Sequence, residues 1–383
     1  MLKYTPKNRI SSKASLAKTL SISESELEEL LSDIEQSPQT YSELPIPKKN
    51  GTYRTVFNPN YRLKTTQQRI CGRIFPHIQF PPYLFGSIKD ESNPRDYFKC
   101  VQLHCGAGCL ATIDIEDFFP SIDKDKIFDI FLRFFHFPER VAWTLTQICT
   151  HPIYDFLPQG APTSPIVANL ALYKKEHQLY SSLKEKGVTY TRLMDDIAIS
   201  HTEIGHKIER EASIIRATIS SQGFKVNEKK SSLIQRKGNS PIVLHGLRLG
   251  ESQPKLQAGQ ASKVRSSVKH LEKLASEPNK RTHHEFRRLW HSTSGRVNLL
   301  RRAGDLRYPS LRKRLNKISP LISPKERLLL YKTVSKLENK HEKYSNRHWY
   351  KKEVAKSRYL AIIMRKSFHK EATQLLNRLH ALR

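Results

Sequence analysis

The sequence predicts an α+β fold, and three observations carry that reading. The run Tyr190-Thr191-Arg192-Leu193-Met194-Asp195-Asp196-Ile197-Ala198-Ile199-Ser200 reads as two short strands meeting at a tight turn, with an acid pair at its tip. A second apolar strand, Leu110-Ala111-Thr112-Ile113-Asp114-Ile115, closes on another acid, and Asp117-Phe118-Phe119-Pro120 follows it. After about residue 255 acids thin out, and Lys/Arg recur at helical spacing: Lys263, Arg265, Lys269, Lys273, then Arg287, Arg288, Arg296, Arg301 and Arg302.

The elements follow in chain order. Residues 11–36 are expected to be helical: Ser23 and Glu26 make a capping box, and Leu27, Leu30, Leu31 and Ile34 form an apolar stripe. Residues 44–59 hold Asn50-Gly51 between two β-rich runs, a hairpin signal, with Lys48, Lys49 and Arg54 giving it a basic face. Helices are expected over 63–78, 125–135, 140–149 and 208–222, the last stopping at Gly223. Strands are expected over 224–230 and 243–249. Residues 325–383 continue as two or three basic helices carrying Trp349, Tyr350, Tyr359 and Phe368.

With 383 residues the chain can build two or three subdomains around a sizeable core. Sixty-six Lys/Arg against 36 Asp/Glu give a formal net charge of +30, which implies a polyanionic partner. Mean hydropathy is −0.58, and no apolar run of about 18 residues could span a membrane, so no membrane association is expected. No secretory leader is evident in MLKYTPKNRISSK. Five cysteines, an odd number, suit a reduced cytoplasmic setting. His104, Cys105 and Cys109 lack zinc-site spacing, and no zinc is expected there.

Carboxylates in apolar surroundings are costly unless a cation or hydrogen bond compensates them. A lone Asp-Asp in a hairpin is ordinary turn chemistry. Two strand-borne acid sites that converge, however, make a holder for two Mg²⁺ ions, with Mn²⁺ as a substitute. That is the arrangement used for in-line phosphoryl transfer.

Taken in order, IDIEDFFPSI, LPQGAPTSPIVANL and YTRLMDDIAIS resemble the palm motifs of reverse transcriptases, in particular prokaryotic enzymes of the retron, group II intron and antiphage-defence type. The resemblance covers roughly residues 40–250, with Asp114 and Asp195 standing 81 residues apart. It implies a right-hand polymerase: an N-terminal helix and fingers (1–96), a palm with its antiparallel sheet (97–254), a helical thumb (255–324) and a basic helical extension (325–383). It further implies Asp114, Asp195 and Asp196 as metal-holding catalytic residues, with the Ile115 carbonyl as a further ligand. Lys48 or Lys49, Arg54, Phe119, Gln159 and Gly160 would contact the incoming dNTP. Phe119 would exclude a 2′-hydroxyl, and Gly160 would allow close backbone approach. Lys230, or Lys229, would protonate the leaving pyrophosphate. His245, Gly246 and Leu247 would form the primer grip.

The function this implies is RNA-directed DNA synthesis on a bound non-coding RNA, in antiphage defence. The implied partners are a structured RNA, an RNA/DNA duplex and dNTPs, with an effector protein or a second copy of the chain as further candidates. Arg287, Arg288, Arg296, Arg301 and Arg302 are the candidate nucleic-acid contacts. Template-independent polymerisation and an RNA-binding scaffold with subordinate activity are the alternatives, as is a retron enzyme making RNA-linked cDNA. Retrons tend to show Asn-Ala-x-x-His before the first acid and Val-Thr-Gly after the lysine loop. The matching places read Asn93-Pro94-Arg95-Asp96-Tyr97 and Leu244-His245-Gly246, which points to a defence enzyme outside the retrons. Leu193-Met194 before the acid pair also departs from the more usual Tyr and small residue.

Overall fold

The computed structural model describes residues 2–48, 51–236, 238, 240–345 and 347–382, so Lys49 and Asn50 of the expected hairpin tip lie outside the described residues. The chain forms two compact units, Met1–Pro254 and Lys255–Arg383.

The first unit is a mixed α/β fold around a five-stranded sheet with flanking helices. Strand order is Leu84–Phe85, Thr189–Leu193, Asp196–His201, Cys109–Ile115, Val226–Gln235. The first pair is parallel and the rest are antiparallel. The two central strands are buried almost throughout, which is why they read as apolar runs rather than alternating ones. His104 braces this sheet from one face. Its ring nitrogens meet Ser200 Oγ at 2.7 Å and Thr191 Oγ1 at 2.8 Å, and burial lowers its pKa to about 3, so it is neutral.

Several elements depart from their expected bounds. The lead-in is two helices, Lys13–Leu20 and Glu24–Gln36, because Ser21 turns left-handed between them (φ 51°). The capping box forms as read: Glu26 N donates to Ser23 Oγ at 3.0 Å and Ser23 N to Glu26 Oε2 at 2.8 Å. The helix expected over 63–78 is Tyr61–Arg73, followed by a short 3₁₀ turn at Phe75–His77. Pro76 cannot donate to a continuing ladder and disfavours helix before it. The segment 125–135 is an α-helix, Lys124–Asp129, that widens into a π-turn at Ile130–Phe134. The strand expected over 224–230 runs from Val226 to Gln235, and 243–249 is a small hairpin, Val243–Leu244 with Leu247–Leu249, turning at His245-Gly246. The basic hairpin is present as Tyr41–Pro47 paired with Tyr53–Pro59.

The second unit is helical, with two cores. Val264, Val268, Leu271, Phe286, Val297, Leu300, Leu311 and Leu315 join the helices Gln260–Ala275, His284–Arg302 and Tyr308–Lys317. Leu330, Val334, Leu337, Tyr350, Met364, Leu375 and Leu379 join Pro324–Tyr344, His348–Met364 and His369–Ala381. Tyr350 is therefore not a surface aromatic: its hydroxyl donates to the Leu337 carbonyl at 2.9 Å, while Trp349 beside it is 42% exposed. No described helix is long and apolar enough to cross a membrane.

Candidate active site

Register brings the acids together. Asp114 lies directly opposite Asp196 in the antiparallel pair of central strands, and Leu193 opposite Asp196 closes the hairpin at Met194-Asp195. The Ile115 amide donates to the Asp195 carbonyl at 3.1 Å, tying the turn to the Asp114 strand. A bulge between Thr112 and Asp114 breaks the register with Val226–Gln235 and gives the strand a local twist where the first acid sits.

Three carboxylates so arranged repel one another. Burial, then the neighbouring Asp196 charge, pushes Asp195 up to about 6; burial and Asp114 raise Asp196 as well. Lys230 Nζ reaches both Asp114 oxygens at 3.2 Å, and its pKa is raised, the acids outweighing the opposing effect of burial. The sequence left Lys229 and Lys230 equivalent. Strand alternation separates them, since only one of two adjacent residues can face the acids. The Leu244–Leu247 turn also comes close: His245 Nδ1 is 3.9 Å from Asp196 Oδ2, with positive φ at His245 and Gly246, while Leu247 is buried.

Beside the acids is a cleft of about 560 Å³ lined by Lys48, Arg54, Phe118, Phe119, Gln159, Asp195 and Lys230, together with Glu43, Tyr53 and Tyr154, which the sequence reading did not single out. Tyr154 donates to Glu43 at 3.0 Å and stacks on Phe156 (5.5 Å, 7°). Nothing in their local sequence distinguishes them, because their position depends on the fold. Phe118 is buried against Phe224, whereas Phe119 is half-buried at the cleft wall. Gly160 lies at φ 116°, and a Cβ there would stand 2.5 Å from Val56 Cγ1 and 2.8 Å from the Phe57 carbonyl. The close approach it permits is thus to the hairpin strand. Phe57 N donates to the Gln159 carbonyl at 2.8 Å alongside.

In the helical unit the candidate arginines divide. Arg288, Arg296 and Arg301 are exposed and Arg302 partly so. Arg287 is not a surface contact: it is buried, forks onto Glu326 at 2.7 and 2.6 Å, and donates to the Leu321 carbonyl.

One other group among the described residues could hold a metal: His201, Glu203 and His206 offer ligand atoms within 4.8 Å of one another. It begins at the end of the Asp196–His201 strand opposite the acid pair, and its imidazoles suit a softer ion than Mg²⁺.

Residues 46–266 match the family model described as reverse transcriptase (RNA-dependent DNA polymerase). The retron Ec48 reverse transcriptase of Escherichia coli is 32% identical over 362 residues, covering 92% of this chain and 87% of the relative. The chain belongs to the retron group of reverse transcriptases. It is an RNA-directed DNA polymerase. The retron Se72 enzyme of Salmonella heidelberg is 29% identical over 82% of the chain and 80% of its own length, and the retron Ec86 enzyme of Escherichia coli 27% over 57% and 65%. The expectation of an enzyme outside the retrons is thereby corrected.

Proposed function

We propose that this reverse transcriptase copies a bound structured non-coding RNA into cDNA that stays joined to RNA, as part of antiphage defence in the cytoplasm. The reading is carried by one observation: Asp114 faces Asp196 across adjacent strands, with Asp195 at the connecting turn.

The donor set fits two Mg²⁺ ions. All three side chains are hard oxygen ligands, and burial first, then the neighbouring acids, makes the ionised forms of Asp195 and Asp196 costly, a cost that bound cations would relieve. Asp114, Asp195 and Asp196 would hold them, with the Ile115 carbonyl as a further donor. When bound, the ions supply charge stabilisation for the attacking and leaving oxygens of an in-line displacement. The chain's own groups do the rest. Lys230, already drawn to Asp114, holds the proton that the leaving pyrophosphate takes. Arg54 and Lys48 hold the triphosphate, and Gln159 and the turn at Gly160 form the floor beneath the nucleotide. Phe119 fills the space a 2′-hydroxyl would need, so dNTPs are admitted and rNTPs are not. His245, Gly246 and Leu247 steady the primer end.

In this reading residues 1–96 are the N-terminal helices and fingers, 97–254 the palm, 255–324 the thumb, and 325–383 a helical extension that binds the structured RNA. Exposed Arg288, Arg296 and Arg301, with Arg302, supply phosphate contacts. The test is to purify the protein with its RNA and supply all four dNTPs. RNA-templated cDNA that migrates faster after ribonuclease treatment is the expected product. Product made from any single dNTP without template would replace this reading by untemplated addition, and no product under any condition would leave the RNA-binding scaffold.

A further inference from the structure

We propose that Arg192 is a positioning residue for polymerisation: its buried pair with Glu176 clamps the backbone of the Met194 turn and thereby sets where Asp195 and Asp196 present their carboxylates. The inference rests on the metal-holding role assigned above to those acids.

An arginine within an apolar strand needs a partner, and this one has several. Arg192 is 0% exposed and Glu176 3%. Nε and Nη2 fork onto the two Glu176 oxygens at 2.5 and 2.8 Å, and the Tyr190 hydroxyl donates to the same carboxylate at 2.9 Å. The remaining donors go to main chain: Nη2 to the Asn169 carbonyl at 2.8 Å and Nη1 to the Met194 carbonyl at 3.1 Å. A buried ion pair gives little or no net stability relative to apolar side chains of the same volume. Stability therefore does not account for it, whereas orientation does.

The turn needs a clamp. Met194 sits at φ 62°, a left-handed conformation that a long side chain adopts only under constraint. Its other side is confined by Gly86, where a Cβ would come within 3.1 Å of both Met194 Cγ and Leu193 Cδ1. Asn169 joins the two restraints: its carbonyl takes Arg192 and its Nδ2 donates to the Gly86 carbonyl at 3.0 Å. Asn169 belongs to the helix Ser164–Leu170, which begins four residues after Gly160. One buried network thus links the stretch following the Gln159-Gly160 turn to the catalytic turn. Lysine could not replace Arg192, because a single ammonium cannot fork onto Glu176 and reach two carbonyls as well.

The test uses the full chain in three forms: Arg192→Lys, the apolar double variant Arg192→Met with Glu176→Leu, and Asp195→Asn as a control. Melting temperature, kcat and KM for dTTP on poly(rA)/oligo(dT), and Mn²⁺ affinity by electron paramagnetic resonance without nucleic acid are measured. The double variant is expected to keep its melting temperature within a few degrees. Its Mn²⁺ affinity falls roughly tenfold and kcat roughly a hundredfold, with KM little changed, as for loss of an outer support around metal ligands. Arg192→Lys is expected not to rescue either quantity. A folded double variant with parental kcat and Mn²⁺ affinity overturns the proposal. If the double variant loses its melting transition, Arg192→Lys decides in the same way. Asp195→Asn keeps the two readings apart: should it polymerise and bind Mn²⁺ normally, the metal site is wrong, whatever Arg192 does.

Discussion

The acid site of the first unit and the helices of the second handle charge in opposite ways. In the first, like charges are forced together: three carboxylates converge, two of them with raised pKa, and Lys230 is drawn onto the third. In the second, opposite charges are paired off between helices: Arg287 with Glu326, Arg314 with Glu272, Arg327 with Glu371 and Arg378 with Glu338, at 2.6–2.7 Å. In the proposed function, such converging carboxylates receive a counter-charge from outside. Internal pairing marks helices tied to one another. The density of Lys and Arg makes the helical unit look like the functional one, but four of its arginines are tied to acids on neighbouring helices.

The sharpest break of this comparison is at the acids. Asp195→Asn with Asp196→Asn should abolish DNA synthesis, at least a thousandfold, because removing both charges forfeits several kcal/mol of transition-state stabilisation. Folding and RNA binding should persist, as judged by melting temperature and a filter-binding assay. Near-normal synthesis by the folded variant would dissolve the contrast. Next in size, Phe119→Val should admit ribonucleotides, raising the rNTP to dNTP ratio of kcat/KM roughly ten- to a hundredfold. An unchanged ratio removes Phe119 from the gate.

The paired arginines offer a finer test. Arg287→Ala should cost about 2 kcal/mol of stability in denaturant unfolding by stranding Glu326, and leave the salt dependence of RNA binding alone. Arg301→Ala should do the reverse, flattening the slope of log affinity against log salt by about one while stability stays put. Equal slopes in the two variants would mean that pairing does not separate structural from binding arginines. The smallest effect concerns pH. Asp195 titrates near 6 in the metal-free fold, above its ordinary value, so its contribution to stability is present below about pH 4 and lost as pH rises through 6. Asp195→Asn should therefore raise the melting temperature in EDTA by a few degrees at pH 7.5 and not at pH 4.

The same contrast explains what was legible in the sequence. The Asp195-Asp196 turn was readable because its strands are short and apolar and Met194-Asp195 closes its own hairpin, whereas Asp114, which pairs with Asp196 from far upstream, was readable through the ordered motifs that resemble reverse transcriptases. The capping box at Ser23 was readable because it too is local. What failed depended on distant partners. Arg287 looks like any surface cation until Glu326, 39 residues on, is folded against it. Tyr350 resembles Trp349 until Leu337 takes its hydroxyl. Arg192 stands in plain view inside the strand Thr189–Leu193, and a charged side chain within an apolar run is the signal that it must be paired. The departures at 93–97 and 244–246 point away from the retrons, but two short segments carry less information than the similarity spread over 362 residues.

The contact between Gly160 and the hairpin has a mechanical consequence. Because Phe57 N donates to the Gln159 carbonyl and Val56 Cγ1 would stand only 2.5 Å from a Cβ on Gly160, the base of the hairpin is held close against the Gln159-Gly160 turn. Any swing of its arms must pivot above that point, carrying Arg54 and Lys48 through an arc while Phe57 stays put. Were the hairpin to move, the glycine would be its fulcrum.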